Sequence, residues 1–140
     1  MTDERLPAEG TPGGVTSPVR RILVVEDSED LRDLMQLYLQ GKGYEVQTAA
    51  DGTTAVALLL ASRHDVAFVD VGLPDIDGYE VARRVRAQPE GRGLLLVALT
   101  GHRGPAARAQ ATEAGFDVHL VKPVELAALN ALLSGSRPAV

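Results

Sequence analysis

Five short strand-like runs, each followed by a stretch of helical period, leave this sequence few folds to adopt. The runs are Ile22-Leu23-Val24-Val25, Glu45 to Ala49, Val66-Ala67-Phe68-Val69, Leu94 to Leu99 and Val118 to Val121. After the first, Leu31, Leu34, Leu37 and Tyr38 fall on one side of a helix that Gly41 and Gly43 stop. Thr53 to Ser62 reads as the second helix, and Val81, Ala82 and Val85 recur at helical spacing in the third. Pro105 to Ala114 reads as the fourth, closed by Gly115, and Val124 to Leu133 as the fifth. The strand cores are continuously apolar rather than alternating, as in strands buried on both faces.

That alternation implies a parallel sheet with helices on each side. The expected fold class is α/β: a flavodoxin-like, doubly wound (βα)5 unit with a five-stranded parallel sheet ordered 2-1-3-4-5. Of the 140 residues, 20–134 form this domain. Residues 1–19, rich in Gly, Pro, Thr and acids, have too little apolar surface to offset the entropy of ordering and read as a disordered tail; 135–140 read as a short C-terminal tail. The net charge is −5 and the densest basic groups are Arg20-Arg21 and Arg83, Arg84, Arg86. These are read as solvated helix and strand edges, with no basic block for nucleic acid. With no cysteine there is no disulfide, thiolate or Cys-based zinc chemistry. No apolar run reaches the ~20 residues of a membrane span, and the acidic, polar start is unlike a signal peptide, so a cytoplasmic location is expected.

In a doubly wound sheet, ligands bind beyond the carboxyl ends of the strands. Glu26-Asp27 follow the first run, Asp70 the third, Thr100 the fourth and Lys122-Pro123 the fifth. Taken singly these have ordinary readings: Asp27 and Ser28 could cap a helix, Thr100 could merely end a strand, and Lys-Pro could be a turn. Together they would meet at one edge. Three neighbouring carboxylates require a cation, and hard oxygen ligands suit Mg²⁺ (or Mn²⁺). A central carboxylate can act as nucleophile and form an aspartyl phosphate. A metal, the Lys122 ammonium and the Thr100 hydroxyl could then meet the phosphoryl oxygens.

These stretches, with Leu73-Pro74-Asp75-Ile76-Asp77-Gly78, Ala98-Leu99-Thr100-Gly101 and Val121-Lys122-Pro123, resemble the response-regulator receiver domain of two-component signalling over about residues 20 to 134. The resemblance implies that Asp70 takes a phosphoryl group from a histidine kinase or a histidine phosphotransfer protein. It implies that Glu26, Asp27, Asp70 and the backbone carbonyl of Gly72 hold the metal, and that Thr100 and Lys122 contact the phosphoryl oxygens. It further implies a cis bond between Lys122 and Pro123, a switch pair of Thr100 and His119, and tuning of phosphate lifetime by Gly72 and His102.

On this reading the chain catalyses only its own phosphorylation and dephosphorylation and is not an enzyme in the usual sense. No effector segment is evident after the fifth helix, so output is expected through protein–protein contact at the face of helix 4, strand 5 and helix 5. Ala127, Ala128 and Ala131 cannot all face the core, and a monomer that binds neither nucleic acid nor membrane is expected. The alternative is a phosphorelay intermediate or phosphate sink that passes phosphate to another histidine protein, because the sequence also resembles receivers of hybrid histidine kinases. A haloacid-dehalogenase-like hydrolase is disfavoured because glycine, not aspartate, stands two residues after Asp70. A phosphorylation-independent binding module is disfavoured because every site residue is present.

Overall fold

The computed structural model describes residues 19–134, so the expectations for 1–18 and 135–140 lie outside the described residues. The elements in chain order are β1 (Arg21–Val25), α1 (Glu29–Gly41), β2 (Glu45–Ala49), α2 (Gly52–Ala61), β3 (Val66–Asp70), α3 (Gly78–Arg86), a 3-10 turn (Pro89–Gly91), β4 (Leu95–Thr100), α4 (Pro105–Ala114), β5 (Val118–Val121) and α5 (Leu126–Leu133). All the strand pairs are parallel, in the order β2-β1-β3-β4-β5. This is the expected doubly wound sheet.

Alternate side chains of the central strands leave on opposite faces and build two cores. Leu23, Val25, Ala67, Val69, Leu96 and Ala98 pack with Ala55 and Leu59 of α2, Val81, Ala82 and Val85 of α3, and Ala111 and Ala114 of α4. Ile22, Val24, Val66, Phe68, Val97 and Leu99 pack with Met35 and Leu39 of α1 and Leu129, Leu132 and Leu133 of α5, and Val19 joins this second core from the chain before β1. Three helices therefore cover one face and two the other.

Local sequence sets the boundaries. Ser28, Asp51 and Asp77 cap α1, α2 and α3 by accepting from the amides of Leu31, Thr54 and Glu80. Gly115 ends α4 at φ 118°, a left-handed conformation that glycine adopts without strain.

Four readings from sequence need correction. In α1 the buried stripe is Met35 and Leu39, flanked by Leu31 and Tyr38, whereas Leu34 is 49% and Leu37 71% exposed. At about 100° per residue, two positions carry Leu37 about 200° round from the buried Met35, to the far side of the helix. Helix α5 starts at Leu126 rather than Val124, since the backbone at Glu125 is still extended. Strand β2 alternates in burial because it lies at the sheet edge. Finally, Arg83 and Arg84 are solvated and pair with Glu80, but Arg86 is turned inward. Its guanidinium donates to the carbonyls of Gly91, Leu94 and Gly115 and to the Asp117 carboxylate, tying α3 to the start of β4 and the end of α4.

Candidate functional site

Parallel strands that stop in register bring their C-terminal neighbours to one edge. Asp70 ends β3 opposite Leu99, and Thr100 ends β4 opposite Val121. Backbone bonds continue the ladder past the strand ends: Glu26 donates to Ala49, Val71 to Leu99 and Lys122 to Thr100. These place Glu26-Asp27, Asp70, Thr100 and Lys122 along the same rim.

The acids and the lysine meet there. One carboxylate oxygen from each of Glu26, Asp27 and Asp70 lies within 4.8 Å of the others. Lys122 Nζ stands 3.1 Å from Glu26 Oε1 and 3.2 Å from Asp70 Oδ2. The other Asp70 oxygen, Oδ1, accepts from the Gly72 amide at 2.9 Å. Glu26 is 1% exposed and Asp70 6%, while Asp27 is open to solvent. The Lys122–Pro123 bond is cis.

Burial, chiefly, pushes the Glu26 carboxyl up, helped by the Asp70 charge and opposed by the Ser28 amide and Lys122. For Lys122, burial favours the neutral amine, but the close contact with Glu26 and the charges of Asp70 and Glu26 outweigh it and raise its pKa. A charged ammonium thus faces a crowded carboxylate group.

Does a divalent cation suit this donor set? Glu26 Oε1 is buried and, although near the ammonium, has no aligned hydrogen-bond donor. An open lone pair on a buried carboxylate, beside two further carboxylates, is the chemistry a hard cation requires. The residues present fit Mg²⁺.

Thr100 is fully buried, and its hydroxyl accepts from the His102 amide at 3.0 Å, while the His102 side chain is exposed. His119 lies on β5 opposite Ala98, two residues before Thr100. Its Nε2 is buried without a hydrogen-bond partner, and burial followed by the Arg108 charge lowers its pKa. Glu26, Asp27, Asp70 and Lys122 therefore meet directly, Thr100 stands on the adjoining strand end, and His119 lies deeper along β5. A Cβ at Gly72 would sit 3.7 Å from Asp70 Oδ1, so this position borders the acceptor.

Three supports escaped the sequence reading. Arg32 Nη1 donates to the Glu26 carbonyl at 2.9 Å, fixing the chain between β1 and α1. Ser28 donates its amide to Glu26 Oε2 at 3.1 Å while capping α1. Asp75 accepts from the amides of Gly52 and Thr53 and from the Thr53 hydroxyl, across 22 and 23 residues. Ser28 was legible as a helix cap but not as a partner of Glu26, and Asp75, although within the Leu73 to Gly78 stretch, carries no local mark of its reach to α2, nor does Arg32 of its reach to Glu26.

Residues 22–134 match the family described as Response regulator receiver domain. The chain is 37% identical over 105 residues to the response regulator PleD of Caulobacter vibrioides, which is 75% of this chain but 23% of that protein. It thus spans about a quarter of that relative's length. Its fold is similar to the chemotaxis protein CheY4 of Vibrio cholerae, with TM-score 0.78, 34% identity and coverage of 83% of this chain and 97% of the other. It is also similar to the receiver domain of the sensor histidine kinase PA1611 of Pseudomonas aeruginosa, whose structure has a magnesium ion coordinated in the active-site cleft. There the TM-score is 0.76 and the identity 34%, over 83% of this chain and 95% of that one.

Proposed function

The chain belongs to the response regulator receiver domain family, and from that premise we propose that it is a phosphorylation switch whose Asp70 accepts a phosphoryl group from a histidine kinase or a histidine phosphotransfer protein. One observation carries the reading: the Asp70 carboxylate, nearly buried at the sheet edge, has Lys122 Nζ 3.2 Å away and shares a cation-sized space with Glu26 and Asp27.

Glu26, Asp27, Asp70 and the Gly72 carbonyl would hold Mg²⁺, which when bound supplies positive charge to the phosphoryl oxygens. An Asp70 oxygen forms its bond to phosphorus as the P–N bond of a phosphohistidine breaks. The electron pair leaves with the imidazole nitrogen, which takes up a proton. Lys122 holds Asp70 in the resting state and exchanges that contact for a phosphoryl oxygen.

The product adds about −1.5 to −2 charge at Asp70. Thr100 reaches the new oxygens by giving up the His102 amide, and the room it leaves adjoins His119. The change is read at the face of α4, β5 and α5, where Ala127 and Ala131 are exposed, by protein contact rather than by nucleic acid. Among the described residues no helix is long and apolar enough to cross a membrane. A cytoplasmic monomer fits this reading. Gly72 leaves one side of the acceptor open, so Gly72 and His102 set how fast water removes the phosphate.

Likeness to a histidine kinase's own receiver domain favours a second reading, relay of the phosphate to another histidine protein. Incubation with radiolabelled phosphoramidate and Mg²⁺ tests the first. Label is expected on the wild type and lost from Asp70→Asn; equal labelling of that variant refutes the assignment. Transfer of label onward to a histidine phosphotransfer protein selects the relay.

A further inference from the structure

The loop between Asp70 and α3 carries the Gly72 carbonyl, one of the four groups assigned to the metal. Within the loop, Gly72 donates to Asp70 Oδ1, and Gly78 closes it by donating to the Val71 carbonyl at 2.9 Å. Neither bond reaches beyond the loop; its start is held to β4 by the Val71 amide on the Leu99 carbonyl, and its middle is held to α2 by Asp75. Asp75 Oδ1 accepts from the Gly52 amide at 2.8 Å and Oδ2 from the Thr53 amide at 2.9 Å, with the Thr53 hydroxyl added to Oδ2.

Capping alone does not account for that arrangement. Helix α2 already has its own cap, Asp51, which accepts from the Thr54 amide at 2.7 Å. The first three amides of α2 thus go to two carboxylates, one local and one from a loop more than twenty residues on. A second observation places the same surfaces together. A Cβ on Gly52 would fall 2.8 Å from the Ile76 carbonyl oxygen, closer still to the Ile76 side chain, and 3.0 Å from Val81. The first turn of α2 and the acceptor loop are pressed together by shape as well as tied by charge. The carboxyl of Asp75 is held below the usual carboxylate range, first by the Thr53 hydroxyl and then by the Gly52 and Thr53 amides.

We propose that Asp75 is a positioning residue that anchors the acceptor loop to the N-terminus of α2 and so fixes the Gly72 carbonyl for the divalent cation. The proposal rests on the metal reading above. Asp75 is exposed and does not join the acidic group at Asp70. It acts through the loop, as outer partners orient metal ligands elsewhere. Cation and tie then stabilise the same loop conformation, so each strengthens the other.

The test is titration of the full chain with Mg²⁺, followed by amide NMR shifts around Gly72. Asp75→Ala is expected to weaken Mg²⁺ binding about tenfold, the lower end for loss of an outer partner. Gly52→Ala, which keeps the Asp75 side chain but forces Ile76 and the loop away from α2, is expected to weaken it in the same direction. Asp51→Ala removes the local cap of the same helix and is expected to cost stability while leaving Mg²⁺ affinity within twofold. In the unaltered protein, saturating Mg²⁺ should slow hydrogen exchange at the Gly52 and Thr53 amides, a readout that does not depend on how any variant folds. If Asp75→Ala binds Mg²⁺ as the wild type does, or if Asp51→Ala weakens it equally, the tie is refuted while the metal reading stands. If Mg²⁺ leaves the Gly52 and Thr53 exchange rates unchanged, the coupling is refuted on the wild type itself. A wild type that binds no Mg²⁺ refutes the metal reading and the tie with it.

Discussion

Lys122 is the residue whose removal best separates a charge-balanced site from a chance meeting of side chains. Its ammonium stands 3.1 Å from Glu26 Oε1 and 3.2 Å from Asp70 Oδ2. At an effective dielectric near 20, each contact carries roughly 5 kcal/mol of Coulomb attraction before desolvation is counted. Burying the ammonium and ordering its long stem oppose most of that. The side chain is 27% exposed, so the cost of removing it belongs at the lower end of that for breaking a buried pair, about 3 kcal/mol. For a domain of this size that corresponds to a fall in Tm of about 10 °C. Lys122→Met keeps the stem and deletes the charge, and urea unfolding at neutral pH without divalent ions measures the difference. The double variant Glu26→Gln/Lys122→Met should recover part of the loss, because Glu26 is then no longer an unpaired buried charge and only Asp70 is left without the ammonium. Added Mg²⁺ should also recover stability in the single variant by binding only the folded state. The reasoning is refuted if Lys122→Met unfolds at the wild-type urea concentration, or if the double variant loses the sum of the two single effects.

Two further outcomes follow from groups away from the site. Arg86→Lys keeps the charge but not the fork that reaches Gly91, Leu94, Gly115 and Asp117, so it should cost about 2–3 kcal/mol in a urea titration; a loss under 1 kcal/mol would show that the fork adds nothing to the charge. His64 is 6% exposed and burial lowers its pKa, so protonation favours the unfolded chain and stability should decline as pH falls below about 6.5, the unfolded value. His64→Gln should flatten that slope in urea midpoints measured between pH 7 and 5, and an unaltered slope would place the acid sensitivity elsewhere.

Period and punctuation made most of the fold legible from sequence. The apolar runs of β1, β3 and β4 are buried on both faces, and that property together with the strand–helix alternation implied a parallel sheet with two helical layers. In α1, residue type and helical angle point to different faces. Leu34 and Leu37 look like core residues by type, but the stripe through Leu31, Met35, Tyr38 and Leu39 is the one that closes on the sheet. The Val124 boundary failed for a related reason: apolar character continues across a turn that the backbone does not continue as helix.

The site was legible where topology does the placing and opaque where side chains reach across it. Glu26, Asp27, Asp70, Thr100 and Lys122 each follow a strand, so strand order was enough to bring them to one rim. Arg32, Asp75 and Arg86 act instead through contacts with backbone carbonyls or amides, whose positions depend on how layers pack. No residue type marks such a partner, because any suitably placed amide serves. The division has a physical origin. Chemistry at a strand end needs particular side chains at fixed offsets, whereas holding the loops that carry them needs only a donor and an acceptor at the right distance. A substitution at Asp75 would therefore leave Glu26, Asp27, Asp70, Thr100 and Lys122 in place and yet release the loop between Asp70 and α3 from the start of α2.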